Sequence, residues 1–175
     1  MQCLISPLRL PSCGRNSTLQ SLMSWLSSDT IKQNVQFNAD EATWQAFDNV
    51  YPVDELPSTI PHYPIFIVLN TDPHNLEGQH WKVIFIHNDR RGELFDSLEL
   101  PPNIPTQQWL KKHTRQWKTN ARAFQHPLSA TCGAFVLYFI LNRLHVRRFE
   151  SITQNFSSNP HVNEKLVRNF YNALK

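Results

Sequence analysis

The sequence predicts an α+β fold, with a mixed central sheet, a buried helix packed on it and further helices at its flanks. Three stretches predict this. Ile65-Phe-Ile-Val-Leu-Asn70 is continuously apolar and β-branched, as a strand covered on both faces should be. Trp81 to Ile86 and Glu93 to Leu98 stand either side of the turn His87-Asn-Asp-Arg-Arg-Gly92 and read as a hairpin, giving three neighbouring strands. Phe135 to Leu141 has no charge and no gap in hydrophobicity, so a helix there has no face left for water.

Composition sets the bounds. A chain of 175 residues with 41% hydrophobic and 18% charged residues is most simply one globular domain over 1–175 with a sizeable core. Eleven phenylalanines and five tryptophans give that core a large area per residue. A formal charge of +3 is compatible with weak nucleic-acid binding without establishing it. Cys3, Cys13 and Cys132 have neither zinc-ligand nor redox spacing, and their odd number fits a reducing, intracellular setting better than secretion. Pro7 and Arg9 break the apolar start of the chain, so no signal peptide is expected. Nothing approaches the ~20 apolar residues of a membrane span, so no membrane partner is expected either.

Taken in order, residues 1–16 have no period and predict an irregular arm. Leu19, Leu22, Met23 and Leu26 stand at i, i+3, i+4 and i+7, which predicts an amphipathic helix from Thr18 to Gln33 capped by Ser17 or Thr18. A short helix is expected over Asp40 to Phe47. An extended loop follows, anchored by aromatics and divided by Pro52, Pro57, Pro61 and Pro64. After the hairpin, Pro105 opens a helix over Thr106 to Trp117 with a basic face of Lys111, Lys112, Arg115 and Lys118. Ala121 to Phe124 reads as a further short strand. Beyond the apolar helix, Arg143, His145, Arg147 and Arg148 form a cationic helix end, either solvated or phosphate-binding. Ile152 to Pro160 reads as a loop, and Asn163 to Leu174 as an amphipathic helix with Leu166, Val167, Phe170 and Leu174 on one stripe.

The chemistry gathers on Cys132. Small residues around it, Ser129, Ala130, Thr131 and Gly133, predict a tight entry turn that puts the thiol in the first turn of the apolar helix. There the macrodipole and unpaired N–H groups favour negative charge. Simple packing is the alternative for a lone cysteine. A nucleophilic cysteine needs a base and an orienting group. In the predicted hairpin, His80 at the start of the first strand and Asp96 near the end of the second fall at the same end of the sheet. His74 has no partner at metal-ligand spacing, and no metal is expected.

Gly78-Gln-His80-Trp81, then Leu94-Phe-Asp96-Ser97, then Gln125 seven residues before Cys132-Gly133, in that order, resembles the adenain-like cysteine proteases. These are the adenovirus maturation protease and its relatives in viruses and virus-like transposons, which share a fold with the ubiquitin-like-protein proteases. The resemblance runs from about Thr18 almost to the C-terminus. It implies an adenain-like, papain-related protease fold with the nucleophile on the buried helix. It implies His80 as base, Asp96 as its orienting group, Cys132 as nucleophile and Gln125 as an oxyanion-hole amide, with Trp81 and Gly133 in the substrate cleft. It further implies an endopeptidase of viral capsid or core precursors, cutting after small residues at Gly-Gly or Gly-Xaa sites, in the virion and the host nucleus or cytoplasm. A protease removing Gly-Gly-ending ubiquitin-like modifiers and a non-catalytic binding module of the same fold are the alternatives. No cofactor is required by this reading, though relatives are stimulated by a peptide or DNA. A disulfide-linked peptide is disfavoured because no cysteine lies between Cys13 and Cys132. The glycine often found just after the acid in relatives is missing from Asp96-Ser-Leu-Glu, which leaves the shape of that loop open.

Overall fold

The computed structural model describes residues 26–76, 80–145 and 148–175. The predicted arm over 1–16, Cys3, Cys13, Gly78, Gln79 and Arg147 lie outside them, as do Leu19, Leu22 and Met23 of the first predicted stripe. Five strands form one sheet in the order β1 (Phe47–Pro52), β2 (Ile65–Asn70), β3 (Trp81–Ile86), β4 (Arg91–Phe95) and β5 (Gln116–Thr119). The outer pairs β1·β2 and β4·β5 are parallel, and the inner pairs β2·β3 and β3·β4 antiparallel.

Both faces of the sheet are covered, which is why β2 and β3 are buried at every residue. One face, with Phe66, Val68, Trp81, Val83, Phe85 and Phe95, packs on α4 (Cys132–Arg143). The other, with Ile65, Ile67, Ile84, Ile86 and Leu94, packs on Trp109 and Leu110 of α3 (Ile104–His113). The ten residues Cys132 to Leu141 are all buried, because α1 (Ser28–Asn38), α5 (Phe149–Gln154) and α6 (Pro160–Asn172) close around α4 on the side away from the sheet. Phe95 and Phe139 stack at 4.6 Å between ring centroids, which locks β4 to α4.

Several predicted elements are corrected. Among the described residues the first helix runs over Ser28–Asn38, past the expected end at Gln33, with Ser27 accepting a hydrogen bond from the Thr30 N–H (3.1 Å) and Leu26 ahead of it, while the predicted caps Ser17 and Thr18 lie outside the described residues. The short second helix, α2 (Glu41–Ala46), is capped by Asp40 and leads directly into β1, where an extended loop was expected. Parallel pairing to the apolar β2 recruits this half-exposed segment as an edge strand. The returning hairpin strand runs over Arg91–Phe95, so Asp96 lies just past its end. Helix α3 starts earlier than expected, at Ile104 with Asn103 as cap, and stops at His113. Trp117 and Lys118 belong to β5, and the segment 121–124 is not a strand. Residues 149–154 are helical, with Phe149, Ile152 and Phe156 in the core. On α6 the buried line runs through Asn163, Glu164 and Val167, while Leu166 is exposed. Arg143 is no solvated cation, since it is turned inward onto Glu93.

Candidate active site

The register of the β3–β4 hairpin sets the site. Val83 pairs with Phe95, so one step further Lys82 stands across from Asp96, and His80 reaches the same carboxylate from two residues earlier. The turn after β4 folds around Asp96. Its Oδ1 accepts from His80 Nε2 (2.5 Å) and the Leu98 N–H (2.8 Å), while its Oδ2 accepts from Lys82 Nζ (2.8 Å) and the Leu100 N–H (3.0 Å). Four donors thus occupy the four lone-pair positions of one carboxylate. The chain turns back at Glu99, whose φ of 56° supplies the left-handed residue in the absence of a glycine. Asn120 fixes the Asp96 backbone, accepting from its N–H (2.9 Å) and donating to its carbonyl (2.8 Å).

His80, Lys82 and Asp96 are all buried. Burial alone pushes the Asp96 carboxyl up, but the His80 bond and the charges of His80 and Lys82 outweigh it and hold it below the usual carboxylate range. Burial likewise pushes the His80 imidazole down, and is overcome by Asp96 and then Cys132, which together raise it to about 9. The second ring nitrogen of His80, Nδ1, is shielded from solvent and has no hydrogen bond among the described residues. Cys132 is near enough to the ring to favour the imidazolium, although no hydrogen bond joins the two.

Cys132 opens α4 and is 1% exposed. The residue before it, Thr131, makes no side-chain cap, so the amides of the first turn have no side-chain acceptor there. Its hydroxyl is bonded to the Ser129 hydroxyl instead (2.7 Å). Gln125 is anchored at both ends: Oε1 accepts from Ser97 Oγ (2.7 Å) and Nε2 donates to the Ser129 carbonyl (2.7 Å). Its second amide hydrogen makes no bond among the described residues, and no direct bond joins it to Cys132. Trp81 donates its indole N–H to the Leu26 carbonyl (3.0 Å). Leu26 also covers Gly133, where an added Cβ would lie 2.7 Å from the Leu26 Cβ. Trp81 and Gly133 thus meet a common neighbour. His74 lies apart, exposed, and bonded to Asp54 (2.8 Å).

Among solved structures, ChlaDub1 from Chlamydia trachomatis is similar at a TM-score of 0.55 and 12% identity, over 93% of this chain and 94% of that one. The two share a fold. The ASFV pS273R protease is similar at a TM-score of 0.45 and 23% identity, over 59% of this chain and 43% of that one, so this chain spans less than half its length. The central domain of the uncharacterized Lpg1148 protein from Legionella pneumophila gives a TM-score of 0.42 at 13% identity, over 73% and 86% of the two chains. No family model matches the sequence, and no curated protein does.

Chemically, the arrangement offers a thiol at a helix N-terminus, an imidazole with one nitrogen on a carboxylate and the other buried and unbonded among the described residues, and a tethered side-chain amide. Sequence reasoning missed Lys82, and a register count would have found it: in a hairpin that carries Asp96 at its end, position 82 is the cross-strand neighbour. Among the described residues no helix is long and apolar enough to cross a membrane.

Proposed function

We propose that this chain is a thiol peptidase acting on protein substrates, with Cys132 as nucleophile, His80 as acid and base, and Asp96 as the orienting group. The observation that carries the reading is the buried His80–Asp96 pair, 2.5 Å apart, with the second ring nitrogen left unbonded among the described residues and a cysteine at a helix start near enough to favour the charged ring. The Cys132 proton passes to His80 Nδ1, and the sulfur attacks a peptide carbonyl. The oxyanion that forms is met by the Cys132 N–H and the spare N–H of Gln125. Collapse breaks the C–N bond as His80 gives its proton to the leaving amine, leaving a thioester. Water, deprotonated by His80, then releases the acid, and the proton returns to sulfur. Trp81 and Gly133 line the cleft in this reading, and no cofactor takes part.

The motif resemblance to adenain-like enzymes supports viral capsid or core precursors as substrates, cut after small residues at Gly-Gly or Gly-Xaa sites, in a reducing setting that keeps the thiol free. Removal of ubiquitin-like modifiers is the second reading, in keeping with the fold shared with ChlaDub1 along 93% of this chain. A Gly-Gly peptide and a fluorogenic modifier conjugate, assayed side by side with and without added peptide and DNA, separate these. Wild type is expected to cleave at least one, and Cys132→Ala to lose at least about 10⁴-fold in turnover. Cleavage undiminished in Cys132→Ala would refute the assignment.

A further inference from the structure

Strand β3 is apolar apart from one residue. Lys82 lies between Trp81 and Val83 with its side chain 4% exposed, on the sheet face that otherwise carries Ile84, Ile86 and Leu94. An aliphatic residue there would extend that cluster without desolvating a charge, and replacing a buried ion pair by apolar side chains is often neutral or stabilising. The lysine therefore needs a reason beyond packing.

Its contacts supply one. Nζ donates to Asp96 Oδ2 (2.8 Å) and to the Leu100 carbonyl (3.0 Å), so one ammonium ties β3 to both ends of the turn that holds Asp96. Each carboxylate oxygen then has its own pair of donors, and Oδ1 is the one presented to His80. The ammonium also offsets part of the charge that Asp96 directs at the ring. An imidazolium held too firmly by a carboxylate is a poor acid toward a leaving amine.

We propose that Lys82 is a positioning residue for the His80–Asp96 pair, fixing the carboxylate and limiting how strongly it retains the imidazole proton. This rests on His80 being the proton carrier of the proposed peptidase. Among the described residues the charged and titratable groups facing the pair are Lys82 from β3, Asp96 from the turn after β4 and Cys132 from α4; Glu99 of the same turn is exposed, and Arg122 of the following loop is bonded to the carbonyls of Phe156 and Ser157.

The test uses the full chain with Lys82→Met, Lys82→Arg and Asp96→Asn, alone and combined. Lys82→Met is expected to lower kcat about tenfold at neutral pH with KM little changed, and to move the alkaline limb of kcat/KM upward by about one pH unit. Lys82→Arg should restore most of the rate, and Lys82→Met should add little in the Asp96→Asn background, because it acts through Asp96. Should Lys82→Met not fold, Lys82→Gln keeps a donor for Asp96, drops the charge and gives the same readings. The His80 ring titration followed by NMR should move upward in Lys82→Met whether or not a peptide is cleaved, which separates failure here from failure of the peptidase reading. Loss of thermal stability with an unchanged kcat, alkaline limb and ring titration would overturn the proposal. So would an undiminished effect of Lys82→Met on kcat in the Asp96→Asn background.

Discussion

Strand β4 carries buried carboxylates at two places, Glu93 within it and Asp96 just past its end, each 2% exposed and each held by cations, yet the two are spent differently. Glu93 takes two bonds from Arg143 (2.7 and 2.9 Å) and one from His87 (3.1 Å), with Lys118 3.6 Å away and itself bonded to Glu150. Burial pushes the Glu93 carboxyl up, but Arg143 and His87 reverse this and bring it to about 2. The cluster ties the end of α4 to the sheet. At Asp96 the histidine gives one nitrogen to the carboxylate and keeps the other buried and, among the described residues, unbonded, with Cys132 near enough to favour the charged ring. The two carboxylates are three residues apart, at most ~10 Å along the chain, and meet opposite ends of one helix, Cys132 at its start and Arg143 at its last residue. A buried ion pair by itself therefore says little about chemistry. An ion pair with an unspent buried nitrogen beside a thiol says much more.

Mutations should separate the two ends. Arg143→Met leaves Glu93 buried without its main partner and should cost about 3–5 kcal/mol of stability in urea unfolding, with kcat per folded molecule unchanged. An equal loss of kcat would mean that the far cluster feeds the active site. Gln125→Ala should lower turnover per folded molecule by about 3 kcal/mol of transition-state stabilisation with KM little changed, and it should lower Tm as well, because the buried bonds to Ser97 and Ser129 are lost with it. A rise in KM with kcat intact would place Gln125 in substrate binding instead.

The clusters should also answer to opposite limbs of the pH–stability curve. Glu93 is depressed from 4.5 to about 2, so its stabilisation is present above pH 4.5 and is lost as pH falls through 2. His80 is raised from 6.5 to about 9, so the stabilisation from its imidazolium is complete below pH 6.5 and is lost as pH rises through 9. Urea midpoints across pH should show Glu93→Gln reducing only the acid limb and His80→Gln removing most of the alkaline one. Asp96 also sits below the usual carboxylate range, so part of the acid limb should survive in Glu93→Gln. Limbs that moved together would show the clusters to be coupled.

The interior of the fold was legible because interior elements have a strong period or none. The runs 65–70, 81–86 and 135–141 could be little else, and each is buried throughout. What failed was at the margins, where pairing overrides local pattern. Trp117 continued a helical spacing from Trp109 yet belongs to an edge strand paired with Gly92. Asp48 and Asn49 look like loop residues and are drawn into β1 by its parallel partner. Phe149 and Phe156 sit in a polar stretch whose core contacts come from α4 and β4. At the candidate site, His80, Asp96 and Cys132 could be named from residue type and order. Lys82 could not be read by type alone, since a lysine in a strand ordinarily points to water and its burial depends on a carboxylate fourteen residues away.

The central claim is that one imidazole is charged by a carboxylate on one side and a thiol on the other. NMR titration of His80 in the intact chain measures this directly. The ring should remain protonated through neutral pH with a midpoint near 9, lowered in Cys132→Ala and lowered further in Asp96→Asn. A midpoint near 6.5 that ignored both substitutions would contradict it.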